Sequence, residues 1–269
     1  MRIAEEITRR TSCEHYRLLL NEEREPGITD SKIGGKPYWP ADMEYPSDGQ
    51  GKPMLMLMQV NCQEAGLKAP LPEQGMLQWF ISINQERMYG CRGNFDEENG
   101  FAVIYHETIV ENATPADVPT HDTVDENLAP VKREVAIDVV EEQTSMGVSH
   151  GRFNRLFFDI VKEITGAEHP DKMWYQYLDN DDCLYYERNL GMPRPRHQML
   201  GYPYYTQEDA RRDIDMHDTL LFQLDSQFST VNREALVMWG DMGSGFIFIN
   251  RDDLDARDFS RTYYCWDCG

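Results

Sequence analysis

The chain has 269 residues, and none of its apolar runs approaches the length of a membrane span. That excludes a spanning helix of the ordinary kind. The stretch Met1 to Arg10 lacks the apolar centre of a signal peptide, so a cytoplasmic protein is expected. Basic residues are few: 26 Lys and Arg stand against 47 Asp and Glu, a formal charge of −21. A negative surface repels phosphate backbones, so nucleic acid is not an expected partner. Solubility is the commoner reason for such acidity, and attraction to a basic protein partner is the functional one. Metal and cofactor motifs are missing. Cys265-Trp266-Asp267-Cys268 is the only C-x-x-C, with no second pair to complete a zinc site. It reads as two reduced thiols on an exposed tail. Asp179 to Asp182 begins like a calcium loop but lacks its glycine. No P-loop lysine, G-x-S-x-G elbow or dinucleotide-type glycine pattern occurs, and the seven histidines have no ligand spacing. No cofactor, metal site or catalytic set is assigned.

What is present is a weak internal repeat. Gly35-Lys36-Pro37-Tyr38-Trp39 is matched by Gly201-Tyr202-Pro203-Tyr204-Tyr205. Leu57-Met58-Gln59-Val60-Asn61 is matched by Leu221-Phe222-Gln223-Leu224-Asp225. The stretch from Gly75 to Ser82 is matched by that from Gly243 to Asn250. Gly35 precedes Gln59 by 24 positions, and Gly201 precedes Gln223 by 22. Two copies at so long a period indicate a duplication, not a solenoid. The expected fold is α+β and strand-rich: two related β-sheet lobes packed together, with a few peripheral helices. Residues 1–269 read as a single domain. Residues 28–140 form the first lobe, 141–196 a helical connection and 197–255 the second lobe.

Along the chain, residues 1–22 read as a helix. The apolar run Met54 to Val60 reads as a strand buried on both faces. Gly75 to Ile83, Phe101 to His106 and Lys132 to Val140 read as further strands. Residues 111–130, with Pro115, Pro119 and Pro130, read as a surface loop, and Asn112-Ala113-Thr114 fits a glycosylation acceptor that a cytoplasmic chain would not use. Phe153 to Ile164 forms an amphipathic stripe stopped by Gly166 and by His169-Pro170. Thr206-Gln207-Glu208-Asp209 resembles a capping box opening a helix to Ile214. Thr219 to Leu224, Ala235 to Trp239 and Gly245 to Asn250 read as strands, the last two joined by a turn at Asp241 to Gly243.

Gln59 and Gln223 each place an amide inside an apolar strand, where an unbonded polar group is costly. The structural reading ties each amide to the neighbouring G-x-P-Y loop; the functional one makes the pair line a ligand site. Tyr38, Trp39, Tyr204 and Tyr205 are either lids on the cores or a recognition surface. Asn61 and Asp225 end equivalent strands. Asp225 and Asp241, the latter in Trp239-Gly240-Asp241-Met242-Gly243, would be general acid and base if they met in a cleft. Ser31 and His197 open the two G-x-P-Y segments, and their unlike chemistry argues against a shared role.

The run Ile33 to Pro40, the strands Leu57 to Asn61 and Leu221 to Ser226, and Trp239 to Gly243 followed by Phe246 to Ile249 resemble the YwqG-like family. The resemblance spans roughly residues 30–255. It implies a mostly bacterial, strand-rich, internally duplicated protein of unknown function, with no catalytic residues to carry over and a link to toxin and immunity systems. Three functions follow as expectations. The first is a non-catalytic, immunity-like binding protein for a basic partner. The second is a hydrolase using Asp225 and Asp241, and the third a small-ligand sensor using Gln59 and Gln223.

Overall fold

The computed structural model describes residues 2–269 except 85, 87, 92–94, 97–99, 111–117, 170 and 192–194. Asn112 to Thr114, Pro115 and Pro170 lie outside the described residues. The chain opens with helix α1 (Arg2–Thr11) and strand β1 (Cys13–Asn21). The strands β2 (Lys32–Ile33), β3 (Leu55–Asn61), β4 (Met76–Ile81), β5 (Phe95–Asp96), β6 (Phe101–His106) and β7 (Val135–Thr144) follow. Three helices come next, α2 (Phe153–Thr165), α3 (Trp174–Tyr177) and α4 (Asn180–Asn189). The second half holds β8 (Gln198–Leu200), β9 (Thr219–Asp225), β10 (Gln227–Phe228), β11 (Ala235–Val237), β12 (Ser244–Ile249), the short helix α5 (Arg251–Asp255) and β13 (Tyr263–Asp267).

Eleven strands join in one large, nearly closed antiparallel sheet, in the order β5-β13-β12-β9-β8-β1-β7-β2-β3-β4-β6; β10 and β11 pair apart. The expected pair of sheets is therefore replaced by one. Its middle is the ribbon of β1 on β7, nine residue pairs from Cys13 opposite Thr144 to Asn21 opposite Ala136. On one side lie β8, β9, β12 and β13, and on the other β2, β3, β4 and β6. Gln59 faces Gln78 and Asn61 faces Met76 across β3 and β4; Gln223 faces Phe246 and Asp225 faces Ser244 across β9 and β12.

Alternation along the strands builds two layers of packing. Leu77, Trp79 and Ile81 of β4 and Ile247 and Ile249 of β12 enter one large core. Trp79 stacks on Phe222 and on Trp239, at 6.3 and 5.8 Å between ring centroids, so side chains from both halves fill the curled sheet. The alternate residues Phe80, Phe246 and Phe248 point to the other face, where smaller clusters form under the loops. A separate core holds α1, α2, α3 and α4 together through Ile7, Phe153, Phe157, Ile160, Trp174 and Tyr186.

Three sequence expectations change. Residues 13–21 are the central strand and not the end of a helix. The three leucines at 18–20 fit either period, and the long ladder with β7 decides between them. The segment after Thr206 forms no helix. Its first N–H groups, on Thr206 and Gln207, donate to the Asp267 carboxylate at 2.6 and 3.1 Å, and Asp209 turns to Arg211. Cys265 and Cys268 are not on an exposed tail: Cys265 is fully enclosed in β13, burial pushes its thiol well up, and Cys268 packs partly against the main core. The helix at Phe153 and the strands β3, β4, β6, β9 and β12 lie where the periodicity places them, within a few residues.

Deleting residues 263–269 should abolish the cooperative thermal transition, because it strips Tyr264 and Trp266 from the core and uncovers β12. Circular dichroism melting checks this; an unchanged midpoint would show that the last strand is dispensable.

Candidate functional site

The G-x-P-Y loops lie against the sheet, and their backbone groups have no ladder partner. Gly35 and Gly201 take φ of +68° and +70°, a region that favours glycine. A Cβ on Gly35 would sit 2.1 Å from the Glu134 carboxylate, and one on Gly201 3.0 Å from His15 Cβ. The glutamines then fasten the loops. Gln59 Oε1 accepts from Tyr38 N at 2.8 Å, and its Nε2 donates to Ile28 O and Asp30 O at 2.9 and 2.8 Å. Gln223 Oε1 accepts from Tyr204 N at 3.1 Å, and its Nε2 donates to Tyr204 O at 3.3 Å. Both side chains are fully enclosed.

Each clamp has a second amide that the sequence reading missed. In the first half Gln78, from β4, donates to Tyr38 O at 2.8 Å and to Gln59 Oε1 at 3.3 Å. In the second half Gln198, from β8, donates to Tyr202 O at 2.8 Å and to Gln223 Oε1 at 3.1 Å. The helpers come from strands on opposite sides of the clamped one, so no alignment of the repeats would pair them. His106 Nε2 donates to Gln78 Oε1 at 3.0 Å. Burial pushes that imidazole down to about 4, from an ordinary 6.5, so it is neutral.

The other candidates fall into place around these clamps. Tyr38, Trp39 and Tyr205 are buried lids, and Tyr204 is half-buried with the Arg196 guanidinium 3.4 Å above its ring. Asn61 Nδ2 donates to Thr29 O at 3.0 Å. Asp225 is enclosed: it accepts from Arg196 N at 3.0 Å, Ser226 N at 3.1 Å and Ser244 Oγ at 2.7 Å. Trp239 is wholly buried, whereas Asp241 stands exposed in its turn. Asp225 and Asp241 thus occupy unlike environments. The buried carboxylate flanking Ser244 on the other side is Asp267, whose pKa burial raises from its ordinary value.

Ser31 and His197 do share a role, contrary to their unlike chemistry. Asn61 N donates to Ser31 Oγ, and Asp225 N donates to His197 Nδ1, both at 3.0 Å. A hydroxyl oxygen and an unprotonated imidazole nitrogen are both acceptors. The other nitrogen, His197 Nε2, donates to Gln227 Oε1 at 2.7 Å, which sets the tautomer, and burial lowers the pKa.

Two buried ionic groups were also missed. Lys32, the first residue of β2, is enclosed with Nζ 2.7 Å from Glu134 Oε1. Asp209 and Arg211 form a buried pair at 2.6 Å, with His150 Nε2 3.1 Å from Arg211. Desolvation, reinforced by Arg211, pushes His150 down to about 4. The surface between the two halves holds a cavity of about 310 Å³, lined by Cys13, Tyr16, Lys68, Gly201, Tyr202 and Arg251 among others. None of the ten candidate residues lines it. Among the described residues no group of three or more His, Cys, Asp or Glu side chains is placed to hold a metal, and no helix is long and apolar enough to cross a membrane. Of the candidate residues, Gln59, Gln223, Asn61 and Asp225 satisfy backbone groups.

A family model described as a domain of unknown function, DUF1963, matches residues 31–268. No curated protein matches the chain.

Replacing Gln59 or Gln223 by Leu orphans buried N–H and C=O groups, and each change should cost about 1–3 kcal/mol in urea unfolding. A loss below about 0.5 kcal/mol, the size of an ordinary surface change, would refute the clamp. Stability should also fall as pH drops from about 6.5 towards about 4, because the unfolded chain then takes up protons that His106 and His150 refuse when folded. Asp267 acts in the opposite sense. Melting midpoints against pH check this, and His106→Gln should flatten the profile.

Proposed function

The chain belongs to the DUF1963 family of unknown function, and we propose that it is a non-catalytic, cytoplasmic binding protein for a basic protein partner. The observation that carries this reading is the formal charge of −21 on a chain in which Gln59, Gln223, Asn61 and Asp225 are committed to backbone. With Gln59, Gln223, Asn61 and Asp225 tied to backbone, what the molecule offers outward is chiefly carboxylate. A protein of that charge attracts cationic surfaces quickly and repels polyanions. An immunity-like protein, which neutralises another protein by occupying it, is one form of this function. The enclosed Asp225 and the exposed Asp241 favour binding over hydrolysis. The commitment of both glutamine amides to their loops favours it over ligand sensing.

Two finer readings go with it. The YwqG-like motifs support a narrower placement within the family. The matched registers of β3 on β4 and β9 on β12, and the matched clamps on the two loops, support descent of the halves from one duplicated unit.

The test is to isolate the tagged protein from its native host at low salt and wash with rising salt. The expected outcome is one stoichiometric protein of high pI, released as ionic strength screens the attraction. A partner held equally well at low and high salt, or no partner at all, would overturn the reading.

A further inference from the structure

Helices α3 and α4 leave four large side chains in the open within 13 residues: Met173, Tyr175, Leu184 and Tyr185, at 42, 52, 44 and 41% exposure. They stand on a firm base. Trp174 stacks on Tyr186 at 6.1 Å with planes 21° apart and meets Phe153 edge-on at 5.6 Å. Tyr175 and Tyr185 touch the rings of this stack, at 5.9 Å from Trp174 and 6.1 Å from Tyr186. Cys183 Sγ lies 3.7 Å from Tyr175 O, so α4 and α3 are held together at this point.

Carboxylates stand beside these rings. Asp181, Asp182 and Glu187 of α4 are exposed and make no ion pair among the described residues. The first two also favour the N-terminal end of the helix, where partial positive charge gathers. That effect accounts neither for Glu187, in the last turn, nor for the exposed rings.

We propose that this face of α3 and α4 is the docking surface for a Lys- and Arg-rich segment of the partner protein. The inference rests on the binding reading above and assigns it a place. Aliphatic stems of Lys and Arg cover Tyr175, Leu184 and Tyr185, their cations lie over tyrosine faces, and the unpaired carboxylates take the charge. A second copy of this chain is the poorer occupant, since two molecules of charge −21 repel.

The probe is a fluorescent amphipathic peptide of Lys and Leu, with a Glu and Leu peptide of the same length as control. Binding is read by anisotropy and its place by amide hydrogen exchange. The Lys peptide should bind, weaken with salt, and protect residues 173–187. Tyr175→Ser with Tyr185→Ser should weaken binding by about tenfold or more with an unchanged melting midpoint. Asp181→Asn with Asp182→Asn and Glu187→Gln should reduce the salt dependence, and Val231→Ser, at an exposed site in the turn after β10, should change nothing. Protection elsewhere, or affinity unmoved by the tyrosine pair, would overturn the assigned surface while leaving the basic-partner reading intact. No binding of the Lys peptide together with no salt-released partner from the host would overturn both. A dimer lost in the tyrosine variant would reassign the face to self-association.

Discussion

A loop laid flat on a sheet brings N–H and C=O groups against a surface whose own hydrogen bonds are already made. Water is excluded there, so each such group must find a side chain or raise the free energy of the fold by about 1–3 kcal/mol. The two G-x-P-Y loops meet this constraint twice, and both times with a pair of primary amides. An amide is suited to the task because it donates and accepts at once. Gln59 joins Tyr38 N to Ile28 O and Asp30 O, and so fixes two loop segments to one strand. With the loops fixed, Tyr38, Trp39 and Tyr205 become walls of small outer cores.

The balance of polar groups explains why the protein's strongest sequence signals lead inward. The glutamines, the G-x-P-Y aromatics and Asp225 stand out in the sequence because they are improbable in apolar strands. They are improbable because the fold has specific use for them. A surface that recognises a partner needs no such departure. Tyr175, Leu184 and Tyr185 belong to aromatic-rich stretches whose period marks neither helix nor strand, and the stack of Trp174 on Tyr186 shows which residues the helices bury.

Much of the fold was legible for a related reason. The strands β3, β4, β9 and β12 are mainly apolar runs, buried on both faces, and their shortness distinguishes them from helices. Helix α2 announces itself by its stripe and by Gly166, which adopts the left-handed cap. The strands that escaped are those whose identity depends on distant partners. β1 needs β7, more than a hundred residues on. β13, with its cysteines near the end of the chain, looked like a tail because nothing local marks it as the neighbour of β12. Missing β13 also concealed why Thr206 does not cap a helix, since Asp267 holds its N–H. The clamp was half legible: the repeated glutamines were visible, but Gln78 and Gln198 come from non-equivalent strands and break the repeat that would have revealed them.

The central place of β1 has a consequence for the chain as it is made. This strand leaves the ribosome well before its two neighbours, β7 and β8, which begin at residues 135 and 198. Both of its edges remain unpaired until β7 is made and one of them until β8 is, with Leu18, Leu19 and Leu20 upon it. An apolar strand with open edges invites pairing with other nascent chains. The ordering of the sheet therefore leaves β1 waiting on strands that lie more than a hundred residues downstream. Synthesis rate and chaperone occupancy at the N-terminal segment then bear on yield as much as the stability of the finished molecule does.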